Sequence, residues 1–115
     1  MAWEVVTVEY FDDWFLSLNG AEQQHVLAAI LVLEHFGPSL GRPYVDSLNG
    51  TDKVKNLKEL RVQHKGKPLR VFFAFDPRRQ AVMLCGGDKS GDKRFYETMI
   101  SIAEREFLDY LQGLE

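Results

Sequence analysis

Lys55, Lys58, Arg61, Arg70, Lys89, Lys93 and Arg94 fall within forty consecutive positions, and Tyr96 follows them. Side chains of this kind handle phosphate: arginine offers a planar fork of donors that matches phosphate oxygens, and lysine supplies a movable point charge. The wider charge pattern agrees. Residues 42–94 hold thirteen of the fourteen Lys and Arg residues against six carboxylates, a net of +7. Residues 1–40 carry six carboxylates and no Lys or Arg, and residues 95–115 carry five carboxylates and Arg105. The overall charge of −3 therefore hides a cationic centre between two anionic ends. That layout suits a polyanion such as nucleic acid. Lys53, Lys65 and Lys67 extend the patch and, with Arg94, are expected to touch the backbone of a bound strand.

Other chemistries fit less well. The segment GGDKSGDK at 86–93 is not a Walker phosphate loop, because Asp88 precedes Lys89-Ser90 where glycine is required. His25, His35 and His64 show no ligand spacing, so no metal is expected and all three read as surface or cap residues. No serine or cysteine hydrolase motif is present. Cys85, beside Val82, Met83 and Leu84, reads as a small core residue. As the sole cysteine it excludes an internal disulfide and fits a reducing cytoplasm. No cofactor is implied. No apolar run is long enough for a membrane span, and residues 1–10 lack the features of a secretory signal.

The elements that must position these residues follow from periodicity. A chain of 115 residues with 45% hydrophobic content supports one domain, 1–115, with a real core. Residues 3–10 read as a first strand rich in β-branched and aromatic residues. Phe11, Trp14, Phe15 and Leu18 mark a short helix starting at Asp12 or Asp13, ended by Asn19-Gly20. A second helix spans 21–36 and stops at Gly37-Pro38, so the two form an αα-hairpin. Residues 39–52 look like a crossing loop. Strands are expected at 55–63, 68–76 and 80–86, joined by short turns into an antiparallel meander. After a loop at 86–92, an amphipathic helix covers 94–111. The fold class is α+β in the order β-αα-βββ-α, with a small, mainly antiparallel sheet packed against the hairpin and the C-terminal helix. In that meander the cations can converge on one face, with Arg61 and Arg70 as a clamp on adjacent strands. Arg70 is expected to face solvent, so Arg70→Ala should leave stability nearly unchanged. The competing structural reading pairs Glu59 and Asp76 with these arginines.

This order, with NLKELR (56–61), PLRVFFAF (68–75) and CGGDKSGDKRFYETMI (85–100), resembles the RelE/ParE superfamily of bacterial toxins, and within it the phage-derived HigB-like branch. The resemblance covers nearly the whole chain. It implies a cytoplasmic toxin neutralised by a cognate antitoxin, often a helix-turn-helix protein, and a ribosome-dependent endonuclease that cuts mRNA. It matches Arg70 to an arginine that grips the scissile phosphate, Lys55, Lys58 and Arg61 to basic residues of the preceding strand, and Lys89 or Lys93 to a later cation. Tyr96 matches a tyrosine that stacks on a base or assists proton transfer. The sequence pI near 5.6 departs from the strongly basic members.

RNA can be cut without a metal by its own 2′-hydroxyl when a base removes the proton, cations stabilise the phosphorane and an acid protonates the leaving 5′-oxygen. Clustered cations favour a neutral lysine, so Lys55 or Lys58 is the expected base. Arg61 and Arg70 take the phosphate, and Lys89 or Lys93 stands near the leaving group. Two alternatives remain open on the same fold: a ParE-type topoisomerase inhibitor and an inactive homologue.

Overall fold

Five strands, β1 (Glu4–Thr7), β2 (Val45–Ser47), β3 (Lys58–His64), β4 (Lys67–Phe75) and β5 (Gln80–Asp88), and three helices, α1 (Glu9–Ser17), α2 (Gly20–Phe36) and α3 (Phe95–Gly113), make up the computed structural model. It describes residues 3–114; Met1, Ala2 and Glu115, the ends of the expected domain, lie outside the described residues. The sheet runs β1-β5-β4-β3-β2. Every pairing is antiparallel except β1 with β5. Among the described residues no helix is long and apolar enough to cross a membrane.

Strand alternation sends side chains to two separate cores. Leu60, Val62, Leu69, Val71, Phe73, Ala81 and Met83 meet Phe11, Val26 and Leu33 of the α1–α2 hairpin. Phe72, Ala74, Val82 and Leu84 meet Phe95, Ile100, Ala103 and Phe107 of α3. The sheet is thus covered on both faces, and β4 is buried along most of its length. Gly86 and Gly87 let both layers approach: a Cβ on Gly86 would sit 2.3 Å from the Trp14 ring, and one on Gly87 would sit 2.9 Å from Phe95.

Several boundaries differ from the expected ones. The first strand ends at Thr7 and Tyr10 is helical. Acidic Glu9 and Asp12 sit in the first turn of α1, where the helix dipole favours them. The expected loop 39–52 contains β2, which pairs Val45 with Leu60. Lys55 lies before β3 rather than in it. The last strand runs on to Asp88 because its two glycines remain in register with Val71 and Arg70.

Two carboxylates tie the layers together. Glu22 completes a capping box with Asn19 and reaches Lys67 Nζ at 2.7 Å. That hydrogen bond to Lys67 holds Glu22 below the usual carboxylate range. Glu104 is buried on α3, and its Oε2 accepts the backbone N–H groups of Asp52 (2.9 Å), Lys53 (2.5 Å) and Val54 (2.8 Å). Burial pushes Glu104 upward, but the three amides outweigh it and leave its pKa lowered from 4.5. A carboxyl lowered on folding contributes stability above its unfolded pKa, and that contribution is lost as pH falls through the folded value. Amide exchange at 52–54, corrected for the intrinsic pH dependence, should therefore stay protected down to about pH 4.5 and open below it. Glu104→Ala should expose those amides at every pH, while exchange in β4 stays slow.

Candidate functional site

β3 and β4 set Arg61 directly opposite Arg70, on the sheet face shared with α3. Between the two guanidinium groups stands Glu59, only 4% exposed. Its Oε1 accepts the Tyr96 hydroxyl at 2.7 Å and lies 3.4 Å from Arg70 Nε. Its Oε2 lies 3.4 Å from Arg61 Nη2. Asp46 on β2 takes Arg61 Nη2 at 3.2 Å and Arg42 Nη2 at 3.0 Å. The Arg42 hydrogen bond, aided by the charge of Arg61, keeps Asp46 below the usual carboxylate range. Arg70 Nη1 donates to the Leu69 carbonyl at 3.0 Å.

This pairing leaves donors unused. Arg61 Nε and Arg70 Nε are buried and have no hydrogen-bond partner. The 3.4 Å approach of Arg70 to Glu59 supplies charge attraction but not an aligned hydrogen bond. An unmade buried hydrogen bond costs about 1–3 kcal/mol, more for a charged group. Each such donor calls for a partner, and an ordered water or an anion is among those that can supply it. Both arginines line a groove of about 440 Å³ together with Pro43, Tyr44 and Gln63. Tyr96 opens α3 and reaches the arginine pair through Glu59. Burial, then the hydrogen bond to Glu59, raises its pKa against the opposing charge of Arg70, so the phenol keeps its proton at neutral pH. Lys89 Nζ lies 5.5 Å from the Tyr96 ring centroid, a cation–π distance.

Only part of the expected cationic cluster converges. Arg61, Arg70, Lys89 and Tyr96 share the α3 face, and Lys93 and Arg94 sit in the turn leading into α3. Alternation puts Lys58 on the opposite face with Leu60 and Val62, where it donates to Ser47 Oγ at 3.1 Å. Lys55 lies in a cleft with Ala74, Phe75, Phe107 and Leu111. Phe75 is five residues from Arg70 along β4, roughly 16 Å at a strand's rise. Lys53 shares that cleft. Lys65 occupies the β3–β4 hairpin turn with φ 49°, and Lys67 is held by Glu22. Neither Lys55 nor Lys58 is therefore brought to the Arg61–Arg70 pair.

Three further points concern burial and pairing. Arg70 is 8% exposed rather than solvent-facing, because α3 covers its face. Glu59 pairs with both arginines, as the competing reading held, whereas Asp76 instead accepts the Arg78 and Gln80 amides and the Tyr110 hydroxyl. His64 is buried rather than at the surface, with its Nδ1 2.7 Å from His25 Nδ1, so one ring donates to the other. Cys85 is a core residue as expected, its thiol pushed up to about 12 by burial.

The architecture has known counterparts. It matches a double arginine-to-alanine variant of the E. coli toxin RelE in the free state, with a TM-score of 0.63 and 11% identity, covering 89% of this chain and 99% of that one. It also matches an archaeal RelE–RelB complex from Pyrococcus horikoshii OT3, with a TM-score of 0.61 and 19% identity, covering 80% of this chain and all of that one. The fold is therefore RelE-like. Residues 13–108 match the phage-derived Gp49-like family model (DUF891). A Mycobacterium tuberculosis protein provisionally named toxin HigB3 is 44% identical over 108 residues, 93% of this chain and 92% of its own length. A second, provisionally named toxin HigB2, is 42% identical over 110 residues, 94% of this chain and 54% of its own length. The chain belongs to the phage-derived Gp49-like family and is a relative of the HigB toxins.

Burial of Arg70 revises the expected effect of its removal. Arg70→Ala leaves Glu59 short of a counter-charge under α3 and should lower unfolding free energy by roughly 2–4 kcal/mol in urea titrations. Arg70→Lys, which keeps the charge but not the fork, should recover part of that loss.

Proposed function

We propose that this chain is the toxin of a type II toxin–antitoxin pair and that it cuts mRNA on the ribosome in the cytoplasm. The observation that carries this reading is the Arg61–Arg70 pair, which lines a groove and meets Tyr96 through the shared Glu59 carboxylate. A scissile phosphate seated there would meet the guanidinium groups of Arg61 and Arg70, whose charges stabilise the phosphorane. The 2′-oxygen attacks phosphorus while its proton passes to the Glu59 carboxylate. The bond to the 5′-oxygen breaks as that oxygen takes the Tyr96 proton. Proton return along the 2.7 Å Tyr96–Glu59 hydrogen bond resets the site. Lys89, beside the Tyr96 ring, supports the leaving oxygen.

The products of this route are a 2′,3′-cyclic phosphate and a 5′-hydroxyl. End-labelling of cellular mRNA after brief expression should detect 5′-hydroxyl ends, and 5′-phosphate ends would overturn the route. Tyr96→Phe and Glu59→Gln should each slow cleavage by on the order of 10²–10⁴, read as loss of growth arrest at matched protein levels.

Charge alone directs an antitoxin to the cationic face, yet the exposed apolar surface lies elsewhere. Leu27 (49%) and Leu31 (62%) are open to solvent on a groove shared with Val5, Phe11, Phe15 and Ile30 and flanked by Asp12 and Glu34. An apolar patch rimmed by charge suits a partner, and we infer that the cognate helix-turn-helix antitoxin covers it. Substituting both leucines by glutamate should weaken antitoxin binding by at least tenfold in calorimetry while toxicity persists. Unchanged affinity would return the contact to the cationic face.

A further inference from the structure

We propose that Tyr44 and Gln63 form a nucleobase subsite beside the Arg61–Arg70 pair, which holds one unpaired base of the RNA strand. This rests on the RNA reading above and assigns a part of the groove that the phosphate chemistry does not use. Tyr44 is 53% exposed, while its backbone is held on both sides. Its carbonyl accepts the Arg61 amide at 2.8 Å, and its own amide and that of Val45 both donate to the Gly41 carbonyl at 3.1 Å. The Arg42–Asp46 ion pair at 3.0 Å spans the same turn. The ring is therefore presented on a fixed support at the rim of the groove that contains both arginines.

An open π face next to two guanidinium groups is the arrangement that holds a single-stranded nucleotide: cations take the phosphate and the ring takes the base. Tyr96 is less free for that task, since its ring packs against Phe72 and Phe95, Lys89 lies over it and its hydroxyl is bound to Glu59. Gln63 completes the subsite. It is the next residue on the same face of β3 after Arg61, it is exposed, and it lines the same groove. Its carboxamide carries a donor and an acceptor side by side, the set that pairs with a base edge. A groove of about 440 Å³ lies within the size range of small-molecule sites. The ligand class is an unpaired nucleotide within a strand, with stacking on Tyr44 tolerant of base identity and Gln63 supplying preference.

The test is equilibrium binding of the purified chain to a labelled RNA hexamer with 2′-O-methyl sugars, which lacks the attacking hydroxyl, and to the same hexamer with its bases removed. Loss of one stacking contact is worth on the order of 10–100-fold in affinity. Tyr44→Ala and Tyr44→Leu should both lose about that much on the base-bearing strand, and Tyr44→Phe should bind like wild type. Gln63→Ala should flatten differences among hexamers of different sequence. On the abasic strand wild type and Tyr44→Leu should be equal. A Tyr44 loss that persists without bases would mean the ring supports the backbone or the local turn, and it would overturn the subsite. Full affinity of Tyr44→Leu for the base-bearing strand would also overturn it while leaving the arginine site intact. Wild-type chain that binds neither strand would overturn the subsite, and the RNA reading would then stand or fall on the 5′-hydroxyl ends in cellular mRNA.

Discussion

The covering of both sheet faces governs the rest of this structure. Once α1 and α2 occupy one face and α3 the other, β4 has no solvent side, and any charge placed on it must find a partner inside. Arg70 is that charge. It stands opposite Gly87, where the Phe95 ring closes over the strand. Glu59, from the neighbouring strand and the same face, supplies the counter-charge. Arg61 and the Tyr96 hydroxyl then gather around the same carboxylate, so the site is organised by a burial requirement before any ligand arrives.

The compensation is partial in a specific way. Glu59 satisfies the charge of Arg70, but its oxygens lie where they cannot align with either arginine Nε. The terminal guanidinium nitrogens are used by Asp46, by Glu59 and by the Leu69 carbonyl. The inner nitrogens are left over. The +7 of residues 42–94 is thus partly dispersed or spent, as Lys67 is on Glu22 and Lys58 on the far face.

Much of the fold was legible because its signals are local. Alternation through PLRVFFAF, the Gly37-Pro38 stop and the i, i+3, i+4 stripe of Phe11, Trp14 and Phe15 each depend on near neighbours in the chain. The three-residue strand β2 was not, since Val45 to Ser47 carry little pattern and pair only because Leu60 presents an edge. The site was half legible for the same reason. Alternation correctly put Arg61 and Arg70 on one kind of face, but it could not reveal that α3 covers that face. It also separated Lys58 from Arg61 by an odd number of positions, which already places them on opposite faces of a strand. Lys55 was misplaced because β3 begins three residues later than its apolar pattern suggests. The Glu59–Tyr96 and His25–His64 contacts join residues 37 and 39 positions apart, and no periodicity carries information over that range.

The arginine groove and the open leucines lie apart in the fold, the first on β3 and β4 and the second on α2. They are nevertheless joined by short polar ties. Lys67, at the start of β4, is held to Glu22 in the first turn of α2, and His64, at the end of β3, is held to His25 one turn further along. The strands that carry Arg61 and Arg70 are therefore anchored at their hairpin end to the helix that presents Leu27 and Leu31. A partner seated on those leucines touches a helix that cannot shift without breaking a charged hydrogen bond and a histidine pair. The same two contacts hold the hairpin from which Gln63 and Arg61 project. Inhibition from the far face needs no contact with the groove if α2 is displaced, and it needs direct occupation if α2 is not. The Lys67–Glu22 and His64–His25 contacts are the places where those two modes of inhibition differ physically.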